Sequence, residues 1–271
     1  EVESAKGVLA GPNITGDSPS VLAKTPGAID AYVEKKMLGM RNKTQPPPDH
    51  IKVSDLVLNT WLKCIEHETG IRRGTVQLVD REMVIGNRTK AIQRARFVTD
   101  GLGPSQPEIG RLEPKVEALH KTGECPRGTQ NPTFDISISS GVLGKTLEIV
   151  LKKTHWYNPG LNPDELAERV QECYNISHTH ELHFQGGGVR SVDYTAADDS
   201  HSQFSNRITR AFIEFFLSEG DKALALEIYD SCFNMPLQVG PKVMSSLWKN
   251  ASGTGITTVL NTLTFALREL E

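Results

Sequence analysis

Apolar residues recur at helical spacing over several stretches of the chain. Leu56, Val57, Leu58, Trp61, Leu62 and Ile65 predict a helix capped by Ser54, running to about Glu68 and ended by Gly70. Further helices are expected over Ala28–Met40, closed by Asn42 and the Pro46-Pro47-Pro48 break, and over Leu143–Trp156. Asn162-Pro163-Asp164-Glu165 opens another, to about Tyr174. Two more, Ser205–Leu217 and Lys222–Phe233, are split at Glu219-Gly220-Asp221. Strand-like runs stand at Thr75–Val79 and Met83–Ile85, around Asp80-Arg81, and at Thr133–Ser139, where polar and apolar residues alternate. Leu182–Val192, broken by Gly186-Gly187-Gly188, also reads as strand-like. Residues 1–30 and 98–111 have the glycine and proline content of loops. Helices and strands do not alternate regularly, so the fold class expected is α+β rather than a parallel α/β sheet.

The last periodic stretch has a distinct entrance. Ser252-Gly253-Thr254-Gly255 runs into Ile256, Val259, Leu260, Leu263 and Leu267, which predicts a helix beginning near Ser252 and Gly253. Thr257 and Asn261 are four residues apart and therefore project from one face of that helix. Read in isolation, this is an N-capped amphipathic helix.

At 271 residues the chain has ample length for a buried core, as one large domain or two small ones. A formal net charge of −3 excludes a wholly basic nucleic-acid binder, although a local basic channel remains compatible with it. Basic residues do cluster between Arg72 and Arg127, including Arg94, Arg96, Lys115, Lys121 and Arg127. Cys64, Cys125, Cys173 and Cys232 are scattered without a CxxC pair, which fits reduced thiols better than a disulfide framework. The start, Glu-Val-Glu-Ser-Ala-Lys, and the end inside a helical pattern at Leu267–Glu271 read as those of an excerpt from a longer protein.

Three blocks carry candidate chemistry. Lys115-x-Glu117, Lys121 and Arg127 offer fixed cations for a polyphosphate, arginine with bidentate geometry. Asp193 and Asp198 are paired carboxylates at the end of the strand-like Val189–Val192. Hard carboxylate oxygens suit magnesium, so Asp193 is a candidate metal ligand. The alternative is an acidic turn capping the next helix, to which Asp198, Asp199 and Ser200 are also suited. The third block is Ser252-Gly253-x-x-x-Thr257-x-x-x-Asn261.

In this order the blocks resemble motifs F, A and B of viral RNA-dependent RNA polymerases, with the flavour of nodavirus-like positive-strand RNA viruses. The resemblance covers residues 115–130 and 189–268, and it departs from the family's pattern at Gly128-Thr129. It implies a right-hand polymerase in part: fingers over 1–185, with the basic nucleotide-access segment at 111–131, and a partial palm over 186–271. A helical segment at 206–245 would separate motifs A and B. It further implies templated nucleotidyl transfer by a two-metal mechanism, with magnesium, or manganese in its place. Asp193 would hold metal, and Asp198 would sense the ribose 2′-hydroxyl. Lys115, Lys121 and Arg127 would line the triphosphate path. Ser252 and Gly253 would form a mobile loop, and Thr257 and Asn261 would orient the ribose. The partners implied are RNA template, nascent RNA, nucleoside triphosphates and other regions of a viral replicase, in a replication complex in the host cytoplasm. The family's Gly-Asp-Asp hairpin has no counterpart after Asn261, so the chain alone is expected to be inactive. Val79-Asp80-Arg81, between two strand-like runs, is the nearest substitute, but it precedes the basic cluster.

Two other patterns compete. Gly141-Val142-Leu143-Gly144-Lys145-Thr146 suggests a P-loop NTPase built on Lys145 and Thr146, but Ser139 occupies the position of the first glycine. Cys173, His178, His180 and His183 suggest zinc, yet their spacing fits a polar strand better. A non-enzymatic RNA-binding protein using only the basic region is the remaining rival.

Overall fold

The computed structural model describes residues 8–10, 20–22, 53–86, 109–114, 118–119, 128–179, 202–233, 235–239, 242–245 and 254–268. Among these residues, helices α1 (Asp55–Thr69), α2 (Arg81–Gly86), α3 (Phe134–Leu151), α4 (Pro163–Thr179), α5 (Gln203–Phe216), α6 (Glu219–Phe233) and α7 (Thr257–Arg268) supply most of the mass. Strands β1 (Val8–Ala10), β2 (Ser20–Leu22) and β4 (Ala118–Leu119) form one small antiparallel sheet. Strands β3 (Gly110–Pro114), β5 (Gly128–Asn131), β6 (Pro236–Val239) and β7 (Lys242–Ser245) form a second, in the order β5-β3-β6-β7. Helices with small sheets make an α+β arrangement, as expected.

One apolar core joins α1, α3, α5, α6 and α7. Leu58, Leu62 and Ile65 of α1, Leu143, Leu147 and Leu151 of α3, Ile208, Phe212 and Phe216 of α5, Tyr229 and Phe233 of α6, and Val259, Leu260 and Leu263 of α7 all belong to it. Helix α5 is central because its apolar residues fall on one side: Phe204, Ile208, Phe212 and Phe215 are buried, and α1, α6 and α7 all pack on it. The same core draws on residues before and after position 185.

Local chemistry sets the helix ends. Ser54 Oγ accepts from Val57 N–H at 3.2 Å, and Gly70 closes α1 in the left-handed conformation at φ 68°. Asn162 and Glu165 form a reciprocal pair at the head of α4, each side chain accepting from the other's backbone N–H at 2.8 and 2.9 Å. Helix α6 begins at Glu219, so the Glu219-Gly220-Asp221 break is absorbed into its first turn.

Three strand expectations are corrected. Thr133–Ser139 is the cap and first turns of α3, which runs unbroken to Leu151. Its core side includes Ser140, Gly141 and Gly144, small residues that hydrophobic patterning does not register, so the apolar alternation ahead of them mimics a strand although the segment is helical. Met83–Ile85 lies in α2, which buries Val84 and leaves Met83 exposed. Val79-Asp80-Arg81 therefore leads into a helix and not between strands, which removes the substitute hairpin. Among the described residues, Thr75–Val79 pairs only through Val76, beside Leu217 at the end of α5. Val76 N–H donates to Phe216 O at 3.0 Å, and Ser218 N–H donates to Val76 O at 2.7 Å.

The stretch 206–245 is helical as far as Phe233 and then forms the β6–β7 hairpin, where Pro236 faces Ser245 and Val239 faces Lys242. Gly110 lets β3 lie between its neighbours, since a methyl there would sit 2.7 Å from Asn131 O and 3.0 Å from a Leu237 methyl. Strand β3 begins inside the stretch read as loop over 98–111. The expected helix at 28–40 and the strand-like run at 182–192 lie outside the described residues.

Candidate functional site

The site is best defined at the head of α7. This helix starts at Thr257, later than the expected start near Ser252, and Thr254 and Gly255 form a turn before it. Thr257 Oγ1 lies 3.2 Å from both the carbonyl oxygen and the hydroxyl of Thr254. These contacts tie the turn to the first helical residue. Ile256, Val259, Leu260, Leu263 and Leu267 are buried against α3 and α5, which turns the helix so that Thr257 and Asn261 stand half-buried on its flank.

Gly255 presses against α3. Its N–H donates to Ser140 Oγ at 3.0 Å. A methyl on Gly255 would lie 2.5 Å from Gly141 Cα, and one on Gly144 would lie 2.3 Å from Gly255 O. Real side chains do not tolerate such separations, so glycine is required on both sides of the contact. Thr254, Ser140, Gly141 and Gly144 were not selected from the sequence as site residues. Their sequence signal is the pair Gly141 and Gly144, which also belongs to the P-loop-like pattern.

The other two blocks are framed by described elements. Ser202, four residues beyond Asp198, caps α5, and Ser205 Oγ accepts from Ser202 N–H at 2.8 Å. Because α5 packs on α7, the chain just past the paired aspartates begins the helix that supports Thr257 and Asn261. The basic segment is bracketed by β3 and β5, whose ladder ends at the pair Pro114–Gly128. Strand β3 also runs parallel to β6, with Arg111 opposite Gln238. Asp193, Asp198, Lys115, Lys121, Arg127, Ser252 and Gly253 themselves lie outside the described residues.

The competing patterns resolve differently. Gly141 and Gly144 lie within α3, not in a loop that could wrap a phosphate. Lys145 Nζ pairs with Glu148 at 2.8 Å, and Lys152 reaches the same carboxylate at 3.2 Å. Burial opposes ionisation of Glu148, but the two ammonium groups outweigh it and hold its carboxyl below the usual range. Cys173 and His178 belong to α4, so the polar strand expected around His178 is helix instead. Among the described residues, no group of three or more His, Cys, Asp or Glu side chains could hold a metal. No described helix is long and apolar enough to cross a membrane.

No protein-family model matches the chain. The chain is similar to an RNA-directed RNA polymerase of Pieris rapae virus, with 27% identity over 180 residues. The matched region is 65% of this chain and 16% of that polymerase, so the chain spans a small part of its relative. The relationship is to a viral RNA-directed RNA polymerase in general, and it assigns no role to any single residue.

Proposed function

We propose that this chain is a portion of a viral RNA-directed RNA polymerase, contributing fingers and part of the palm of a right-hand fold to templated nucleotidyl transfer. The observation that carries this reading is the similarity to the Pieris rapae virus polymerase. It is supported by the order of the basic, paired-aspartate and Ser-Gly-x-x-x-Thr-x-x-x-Asn blocks. The flank of α7 that carries Thr257 and Asn261 is half-buried, as a ribose-facing surface would be.

In this reading RNA template, nascent RNA and nucleoside triphosphates are the partners, and replication proceeds in the host cytoplasm. Asp193 is the metal ligand, since a carboxylate is the donor magnesium or manganese prefers. The bound ion would neutralise phosphate charge and polarise the reacting oxygens. Lys115, Lys121 and Arg127 compensate the triphosphate's charge along its path. Asp198, Thr257 and Asn261 supply hydrogen-bonding groups for the ribose, and Ser252-Gly253 forms the turn ahead of them. Nucleotide binding is the property of these residues that can be read directly on this chain.

Photo-crosslinking tests the reading. A photoreactive ribonucleoside triphosphate with magnesium should label peptides containing Lys121, Arg127 or Asn261, and excess unlabelled nucleotide should suppress the labelling. Labelling confined to the α3 segment around Lys145 would favour the NTPase alternative and sink this one.

A further inference from the structure

We infer that Ser140 is a positioning residue for Thr257 and Asn261, acting through a seat for Gly255 built from Ser140, Gly141 and Gly144 of α3. The purpose of the seat rests on the polymerase reading, whereas its existence rests on geometry alone.

Ser140 is fully buried on the core side of α3, among Ile138, Gly141, Leu143 and Gly144. Its hydroxyl donates to Ser137 O at 3.2 Å, which leaves a lone pair for the Gly255 N–H at 3.0 Å. The hydroxyl is thus held in one orientation by a bond on each side. Beside the Ser140 hydroxyl, the backbones of Gly255, Gly141 and Gly144 meet directly. A methyl on Gly255 would lie 2.6 Å from Gly141 N and 3.0 Å from Ser140 C, besides its clash with Gly141 Cα. Bare backbone on both sides permits the approach, and the hydrogen bond fixes its register.

The consequence passes directly into α7. Gly255 is followed by the fully buried Ile256, whose carbonyl accepts the Leu260 N–H at 2.9 Å and starts the helical bonding. Thr257 comes next and Asn261 one turn later, so a shift at Gly255 carries both along with the first turn. Apolar burial of Val259, Leu260 and Leu263 fixes the helix to the core but is non-directional. Ser140 supplies a directional constraint at the end nearest the polar pair.

Ser140→Ala, which removes the acceptor without adding bulk, tests this. Amide hydrogen exchange at Gly255 should accelerate by about three- to tenfold, the effect of losing one hydrogen bond. Preference for a ribonucleoside over a 2′-deoxyribonucleoside triphosphate, measured by titration with magnesium, should fall by a similar factor of about three to ten. Affinity common to both nucleotides should stay unchanged. Gly144→Ala, which drives a methyl into Gly255 O, should disturb the same amides and the same preference. Gly86→Ala, where a methyl meets nothing within 4 Å, should disturb neither. Unchanged exchange at Gly255 in Ser140→Ala would overturn the seat. Faster exchange with unchanged ribose preference would overturn the positioning role. A wild-type chain that binds no nucleotide would overturn both the polymerase reading and the role built on it, and the exchange result would still decide whether the seat exists.

Discussion

The backbone amide of Val79 donates to the hydroxyl of Thr146 at 3.1 Å, and that hydroxyl in turn donates to Val142 O at 2.8 Å. Thr146 is fully buried, so its polar capacity serves the packing of the segment after Thr75 against α3. A P-loop threonine would instead present its hydroxyl to a magnesium-bound nucleotide. Thr146→Ala should cost about 1–3 kcal/mol in urea unfolding, because Val79 N–H loses its acceptor. Neither that change nor Lys145→Ala should weaken nucleotide binding, and a loss in Lys145→Ala alone would revive the NTPase alternative.

Phe212 tests whether α5 is the centre of the core. Its ring is fully buried, 4.8 Å from that of Phe216 and 6.4 Å from that of Trp61. Phe212→Ala should destabilise the chain by about 3–5 kcal/mol in denaturant unfolding. A loss under about 1 kcal/mol would mean that the ring is not packed among the helices as described.

Glu148 gives the chain an acid-sensitive component. Its carboxyl is held below its ordinary value, so the folded state binds its proton less readily than the unfolded chain does. The stability this contributes is present above the unfolded pKa of 4.5 and is lost as pH falls through the lower folded value. Unfolding free energy measured between about pH 5 and pH 3 should fall less steeply in Glu148→Gln than in the wild type. Identical slopes would show that the Lys145 and Lys152 pairs do not influence this carboxyl.

Much of the helical scaffold could be read from the sequence because capping chemistry is local. Ser54 and Asn162 announce helix starts through side-chain oxygens that accept from nearby backbone N–H groups, and Gly70 announces an end through its left-handed conformation. The errors arose where tertiary packing decides. Met83–Ile85 is too short an apolar run to distinguish helix from strand, and α2 is defined by its packing on α3. Ser140, Gly141 and Gly144 were invisible to hydrophobic patterning because their function is to be small opposite Gly255, far away in sequence. Thr257 and Asn261 were legible, since a spacing of four fixes a shared face wherever the helix lies. The start of their helix was not, because it is set by the contact of Gly255 with α3.

On the proposed polymerase reading, this chain binds a nucleoside triphosphate through its paired-aspartate and basic blocks. The decisive experiment is calorimetric titration of a ribonucleoside triphosphate with magnesium onto the wild type, Asp193→Asn and Arg127→Ala. Magnesium-dependent binding is expected in the wild type, weakened by about tenfold or more in either variant through loss of a charge-assisted contact. Equal binding in all three, or only salt-sensitive RNA binding without magnesium dependence, would contradict it and leave an RNA-binding protein in its place.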